Sequence, residues 1–539
     1  MARDPSFFRG SVSRQPFDLG LCLDWCKGQI ERGAFEAAVR RLDEVPLAAW
    51  VQGEHVPQLV SLRQALIGKL ARRDLERQNW GQLGMLHSHL GKLQEAVRCY
   101  QEALRLARVD RARDAEGIWL GNLAQAYRSL GQTEQAIAHY EQALVAARES
   151  ENRPVECALD GELGNILHTM GRVEAALARY EQALSLARAL GDRRREAVCL
   201  GNLGLAYGDL GQERTAIAFY EQALALARQM NDRRGEGVYL GNLGLAYYTL
   251  GNIDRAVSYY EQALAVAQQI GDRRGQSARL GNLGIVQMNR GAVEMAIELY
   301  EEALAIACEI GDRHNEGNFL GNLGAAYSSR GDVYKALSFH NRALSIAQEI
   351  GYRRLEGNQW SQLGDIYRYL GERGKAAYHY ERASFVHQTI RYAYGQSHDL
   401  ICMAQVALEE DQVTRALDLA RAAVDLAVPQ SAHFAALTLG LACLRAGRAG
   451  DAEAAFQTSI ARSRALLARA PAFYGPRYVL ACALAGTGAM DEARVELECA
   501  LATCALPGAL LEPRFALGEL RLAGLHVGEL LALLEGDAP

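Results

Sequence analysis

The sequence predicts an all-α solenoid. Three observations carry that prediction: a strict 40-residue period, apolar residues at helical spacing, and no strand pattern anywhere in the chain. The period is displayed by the tetrapeptide GNLG at Gly201, Gly241, Gly281 and Gly321, with variants GQLG at Gly81, GNLA at Gly121, GELG at Gly161 and SQLG at Ser361. A chain of 539 residues would ordinarily make several globular domains. A repeat of this length signals instead units that bury their apolar faces only against their neighbours.

One repeat, residues 192–231, shows why two helices form in each unit. Val198, Leu203, Ala206, Tyr207 and Leu210 fall at helical spacing, and Gly211 then stops this helix A as a C-cap glycine does. Helix B follows, with Ala216, Ile217, Tyr220, Ala223, Leu224 and Ala227 as its apolar stripe. Asn231 and Asp232 then supply a break and an N-cap for the next unit. Glycine inside a helix costs about 1 kcal/mol relative to alanine, so GNLG calls for a packing reason. Gly244 lies on the side of its helix that carries Leu243 and Tyr247, where a side chain would hold the two helices of the pair apart.

Along the chain, residues 1–17 carry Phe7, Phe8, Pro5 and Pro16 among polar residues and read as a flexible arm. Residues 18–78 hold a divergent repeat, LDWCKGQIERGAFEAAVRRL, and a connecting helix. Eight regular units fill residues 79–391, and three divergent ones, centred on Asp411, Gly447 and Gly488, fill residues 392–506. The tail, 507–539, ends in a largely apolar run that would cap the last exposed face. If uncovered, it would be a dimer contact.

Leu203, Gly204, Tyr207, Gly211, Ala216, Tyr220 and Ala223 together resemble the tetratricopeptide repeat pattern, in the longer 40-residue form seen in Pins/LGN-type adaptors and bacterial regulatory arrays. The resemblance implies a right-handed superhelix of antiparallel helix pairs, about twelve in all. It also implies a concave groove lined by the A helices. It ends with the repeats, because no C-terminal G-protein-binding motif of the Pins/LGN kind follows.

Helical arithmetic puts Asn242 about 100° from Leu243 and about 140° from Tyr247, on a stripe with Gly235, Val238, Leu245 and Thr249 that points away from helix B. The same position is Gln82, Asn122, Glu162, Asn202, Asn282, Asn322 and Gln362 in the other repeats. An amide offers donors and an acceptor on one short arm, so a row of amides can clamp the backbone of an extended peptide whatever its sequence. A similar row holds extended segments in the kinesin light chain and Pins/LGN repeats. Alternatively, each amide bonds its neighbour and only braces the array. Beside the row stand Gln125, Asn165, Leu205, Leu245, Ile285, Ala325 and Asp365, and further polar candidates at Asn318 and Asn358. Leu205, Leu245 and Ile285 either meet a ligand or pack on one another.

Arginine recurs at Arg113, Arg153, Arg193, Arg233, Arg273, Arg313 and Arg353, followed three residues later by glutamate, or by Gln276. This column lies about 180° from the amide row, and its reading is an i, i+3 ion pair that also bridges to the preceding helix B. Arg194, Arg234, Arg274 and Arg354 form a second, more exposed column, a candidate basic rim. The net charge of −6 offers no general basic field for nucleic acid, and no apolar run approaches the roughly 18 residues of a membrane span.

No GK[ST] loop, HExxH or GxSxG occurs, and the GEGxxLG pattern is generated by the repeat rather than by a dinucleotide-binding turn. Cys22 and Cys26 are one helical turn apart but lack a second ligand pair, so core packing is expected and no metal or cofactor. His87 and His89 point to different faces. The eleven cysteines show no framework spacing, which favours a reducing cytoplasm. The function expected is a non-enzymatic adaptor that binds a protein or peptide segment through Gln82, Asn122, Asn202, Leu205, Asn242, Leu245, Asn282, Ile285, Asn318, Asn322, Asn358, Gln362 and Asp365. A rival is a regulatory or sensor subunit that controls a partner through a change in superhelix pitch.

Overall fold

A computed structural model describes residues 19–45, 55–469, 471, 473–506 and 508–535, and the expected N-terminal arm lies outside the described residues. Every regular element among them is an α-helix. In the regular repeats helix A and helix B are each 17 residues long, as in Arg233–Thr249 and Ile253–Gln269, except for the 18-residue Arg313–Arg330, and they pack antiparallel. Among the described residues no helix is long and apolar enough to cross a membrane.

The turns follow from backbone chemistry. Gly251 ends the helix in the left-handed region, at φ +75°, which lets its N–H donate to Tyr248 O at 2.8 Å while the N–H of Asn252 donates to Tyr247 O at 2.9 Å. Asn252 then caps helix B by accepting from the N–H of Arg255 at 3.3 Å. Before the next helix A, Asn231 takes the same left-handed conformation, at φ +53°, and Asp232 accepts from the N–H of Gly235 at 3.0 Å. Asp192, Asp272 and Asp312 cap their helices in the same way.

The two glycines of GNLG do different work. The second sits against the aromatic ring of its own helix B: a Cβ on Gly84 would lie 2.6 Å from the Tyr100 ring, and one on Gly244 would lie 2.7 Å from Tyr260. The same pairing recurs at Gly164–Tyr180, Gly204–Tyr220, Gly284–Tyr300, Gly324–His340 and Gly364–Tyr380. The first glycine makes room for the next repeat. Gly81 faces Trp119, Gly121 faces Leu159, Gly241 faces Arg279, Gly281 faces Phe319 and Gly321 faces Gln359. One glycine thus sets the spacing within a pair and the other sets the spacing between pairs.

The chain divides into two compact units, Met1–Leu226 and Ala227–Pro539, with the boundary inside the helix Glu213–Gln229. The first unit opens with the pair Leu19–Glu31 and Phe35–Asp43, turned at Gly33, followed by the helix Val56–Ala65. Cys22 and Cys26 are buried there; Cys26 Sγ approaches Ala38 O at 3.7 Å, and burial pushes its thiol up to about 12. Arg63 is fully buried and is held by Asp43 at 3.0 Å and by Asn79 Oδ1 at 3.3 Å. His87 is buried and His89 exposed, as their two-residue spacing requires.

The second unit ends in the pairs Ala393–Glu409 with Val413–Asp425, Ala432–Arg445 with Ala449–Arg469, and Tyr474–Gly486 with Met490–Thr503. Two last helices, Leu511–Leu522 and Gly528–Glu535, bury Ala516, Leu517, Leu520, Leu530 and Leu534 against these pairs. The apolar tail therefore covers the final core.

The arginine column makes the expected i, i+3 pair at Arg113, Arg193, Arg233, Arg273, Arg313 and Arg353, while Glu156 is bonded by Arg148 of the preceding helix B. Glu116 accepts from Arg113 at 2.6 Å and from Arg108 of the preceding helix B at 2.9 Å. In the second unit, Glu236 accepts from Arg233 and from Arg228, both at 2.8 Å. Burial opposes ionisation of these two carboxyls, but two guanidinium hydrogen bonds outweigh it and hold each below the usual glutamate range. In the second column, Arg274 pairs with Asp312 at 3.0 Å and Arg354 stacks on Tyr392, so these two are engaged within the fold.

Two predictions follow from the packing. Gly244→Ala should lower stability in thermal unfolding by about 1 kcal/mol, because a Cβ there would lie 2.7 Å from the buried Tyr260 ring and the ring must shift, and Gly244→Val by about 2 kcal/mol or more. The loss for alanine is no larger because alanine regains about 1 kcal/mol of helix propensity, and repeat two carries Ala124 at this position opposite Tyr140. Deleting residues 241–280 joins Leu240 to Gly281 in register and should leave a folded, shorter helical protein by circular dichroism, while deleting half a unit should not.

Candidate functional site

The site forms where the solvent-facing stripe of helix A passes over the aromatic column. In each regular repeat the helix B aromatic lies beneath the A helix, packed against the second glycine, and its polar end reaches the residue just after that glycine. Where that residue is polar, the hydroxyl bonds it: Tyr140 to Gln125 at 3.0 Å, Tyr180 to Asn165 at 3.0 Å and Tyr380 to Asp365 at 2.7 Å. Where it is Leu205, Leu245 or Ile285, the aliphatic side chain stands in solvent, at 40%, 52% and 38% exposure respectively. The tyrosine partners at fifteen-residue spacing are a feature that reading one helix at a time does not bring out.

The amide row behaves differently in the two units. In the first, Gln82 keeps a buried carbonyl oxygen with no hydrogen-bond partner among the described residues, and Asn122 is half-exposed. Glu162, where the row loses its amide, pairs with Arg128 at 2.9 Å. Asn202 donates to Asn165 of the preceding repeat at 3.1 Å, which is the bracing arrangement. In the second, Asn242, Asn282 and Asn322 are half-exposed, and none makes a side-chain hydrogen bond among the described residues. Asn318 is also half-exposed.

Beyond Asn322 the stripe turns inward. Gln362 donates to Asp365 at 3.2 Å, so the carboxylate of Asp365 is held between Gln362 and Tyr380. Burial pushes that carboxyl up. Asn358 Oδ1 lies 3.2 Å from His387 Nε2. His387 in turn sits 2.7 Å from Asp399, which accepts from Ser361 at 2.5 Å. All three of these side chains are buried. They form a structural network: Ser361 stands where the other repeats have their first glycine, and Asp399 stands where they place the large residue that faces it.

The chain's own C-terminal segment lies against this part of the second unit. Gly508 N donates to Ser329 O at 3.1 Å, and a Cβ there would meet Ser329 Cα at 2.7 Å. Leu506 packs on the core around Tyr300 and Phe319, and the Phe473 ring meets Tyr248 at 5.9 Å in a tilted arrangement. Glu512 accepts from Arg368 at 2.9 Å and from Gln405 at 2.7 Å, and the Phe515 ring lies 4.6 Å from the Arg368 guanidinium. Arg368 is buried. Burial disfavours its charge, but Glu512 and Glu409 outweigh that and raise its pKa. Sequence reasoning singled out neither Arg368 nor Glu512, which lie 144 residues apart.

The comparisons with known proteins agree with the geometry. The tetratricopeptide repeat family model matches residues 76–149, 155–229, 236–309 and 315–384, together more than half of the chain. The chain belongs to the tetratricopeptide repeat family. That membership gives it a role in protein interaction or regulation.

Among solved structures, it is similar to BtubC from P. vanneervenii, at 21% identity over 48% of this chain and 93% of that one, with a TM-score of 0.35. It is also similar to a signal transduction ATPase with numerous domains carrying a tetratricopeptide repeat sensor, from Pyrococcus horikoshii. There the identity is 17%, over 63% of this chain and 52% of that one, with a TM-score of 0.48. Aspartyl phosphate phosphatase F from Bacillus subtilis matches at 17% over 63% of this chain and 96% of that one, with a TM-score of 0.46. These likenesses concern the fold. The comparison with curated proteins gave no match.

One substitution in the aromatic column has a consequence for stability. His340 replaces the usual tyrosine; its Nδ1 lies 2.7 Å from Gln359 Oε1, and its Nε2 is buried without a partner. Burial holds its pKa down to about 4 from an ordinary 6.5, and burial holds His433 at about 4 as well. The folded pKa lies below the unfolded one, so the unfolded chain takes up the proton first as pH falls. Stability should be level in these groups above about pH 6.5 and fall toward pH 4, by on the order of 3 kcal/mol for a shift of this size. His340→Tyr should flatten the acid limb of a plot of Tm against pH, and an unchanged limb would refute the contribution of His340.

Proposed function

We propose that the chain is a non-enzymatic adaptor whose second unit binds an extended peptide along Asn242, Asn282 and Asn322. The observation that carries this reading is the contrast within the amide row. Asn202 is engaged with Asn165, while these three amides stand half-exposed without a partner among the described residues. Leu245 and Ile285 are exposed beside them and supply apolar contacts. Donor and acceptor on each arm suit the N–H and C=O of an extended chain. At about 3.3 Å per residue and about 10 Å between neighbouring A helices, such a chain advances roughly three residues per rung. The three rungs would hold a segment of about seven to nine residues.

The apolar positions then give side-chain preference, with aliphatic residues of the peptide favoured opposite Leu245 and Ile285. Asn358, Gln362 and Asp365 have no part in this reading, because their polar groups are committed within the fold.

Selection from a displayed peptide library against the full chain would supply a ligand for the test. Changing Asn242, Asn282 and Asn322 together to alanine should weaken that ligand by up to about 3 kcal/mol, at about 1 kcal/mol net per amide. Thermal stability should not drop, since alanine is the better helix former. A triple variant that binds at full affinity would overturn the assignment.

A further inference from the structure

Directly below the polar end of the stripe, three side chains with metal-ligating atoms converge. Asp365 comes from the helix Arg353–Tyr369, and His398 and Cys402 come from the helix Ala393–Glu409 of the next repeat. One ligand atom from each lies within 4.8 Å of the others, and no other such group of three occurs among the described residues. Cys402 Sγ is 3.8 Å from Asp365 Oδ1 and 3.8 Å from the ring nitrogens of His398. Around a tetrahedral zinc ion, with about 2.3 Å to sulfur and about 2.0–2.2 Å to nitrogen or oxygen, ligand atoms stand about 3.5 Å apart. The two distances to sulfur exceed this by a few tenths of an ångström, and the Asp365–His398 pair lies within 4.8 Å, so side-chain rotation suffices to bring the three atoms onto one ion.

We propose that Asp365, His398 and Cys402 form a site for a zinc-like divalent transition-metal ion, with a fourth position left for water. His398 and Cys402 are one helical turn apart, so both point to the same side of one rigid helix. Cys402 is buried and His398 half-exposed, which gives the ion a route in past the imidazole. The outer contacts are already in place. Tyr380 donates to Asp365 Oδ1 at 2.7 Å and Gln362 donates to Asp365 Oδ2 at 3.2 Å, fixing the carboxylate as second-layer partners do in metal sites.

The neighbouring cation, Arg368, is bonded to Glu409 at 2.8 Å and to Glu512 at 2.9 Å, so its charge is matched before an ion arrives. Without an ion, burial and the nearby carboxylates suppress the charged forms of both Asp365 and Cys402. A divalent ion would replace those protons and tie two adjacent repeats together. This site is independent of the peptide reading, since none of its three ligands is part of the proposed rungs.

The test uses the full chain, treated with a chelator and then titrated with cobalt(II). The expected result is a thiolate-to-cobalt charge-transfer band and tetrahedral ligand-field absorption that saturate at one ion per chain. Both should be lost in Cys402→Ser and in His398→Ala. His398→Ala alters a half-exposed side chain, and circular dichroism identical to the parent chain would show that the loss is not unfolding. Zinc should raise the Tm of the parent chain and leave that of His398→Ala unchanged. No charge-transfer band, or one that survives Cys402→Ser, would overturn the proposal.

Discussion

The contact between a helix A glycine and a helix B aromatic ring is the constraint from which the rest of each regular repeat follows. Glycine within a helix costs about 1 kcal/mol against alanine, while burying a large apolar side chain contributes about 1.5–3 kcal/mol. The exchange is favourable where the ring lies flat against the backbone, and at Gly244 a Cβ would stand 2.7 Å from the Tyr260 ring. With Tyr260 seated on Gly244, the solvent-facing stripe of the A helix is fixed relative to the pair. The residue just after that glycine then lies over the ring's hydroxyl end. The position of the candidate ligand surface is thus a by-product of core packing.

The departures from the pattern are compensated in pairs, which shows that the columns are physically coupled. Ser361 replaces a first glycine, and Asp399 takes the place of the large facing residue and accepts the serine hydroxyl. His340 replaces a tyrosine, and Gln359 supplies an acceptor for its ring N–H. Ser361 and Asp399 satisfy each other, while His340 gains a partner at Nδ1 and leaves its Nε2 buried without one. Both compensations lie in the second unit. They begin within the last two of the eight regular repeats.

The helix boundaries, the caps at Asp192, Asp232, Asp272 and Asp312, and the role of the second glycine were legible because each is decided within 40 residues. The period itself exposed them. The first glycine was not assigned, since the residue it faces changes from repeat to repeat, being Trp119, Leu159, Arg279, Phe319 or Gln359, and Gly161 faces none. A column that is defined by space and not by residue type leaves little trace in a single sequence. The amide row was legible as a row, but its division into braced and unpaired members depends on Asn165, which the repeat pattern treats as a neighbour position. The Asp365–His398–Cys402 cluster was missed for a related reason, because its two helices belong to different repeats and only the His–Cys spacing is local.

The docked C-terminal segment touches the second unit at several successive repeats. Gly508 can approach the backbone of Ser329 because it lacks a side chain, and Glu512 then lands where Arg368 and Gln405 can both donate to it. Arg368 also pairs with Glu409 at 2.8 Å, and Glu512 adds a second counter-charge. A charged guanidinium buried without a counter-ion is costly, and a carboxylate brought into the same place is costly without donors. Together they satisfy each other, and the buried Leu517 and Leu520 anchor the segment that carries Glu512. The ends of the A helices in the second unit, and the turns after them, therefore meet the chain itself at several points: Phe473 at Tyr248, Thr503 at Gly291 and Gly508 at Ser329. Asn242, Asn282 and Asn322 stand half-exposed beside these contacts, whereas the polar groups of Asn358, Gln362 and Asp365 are bonded within the fold.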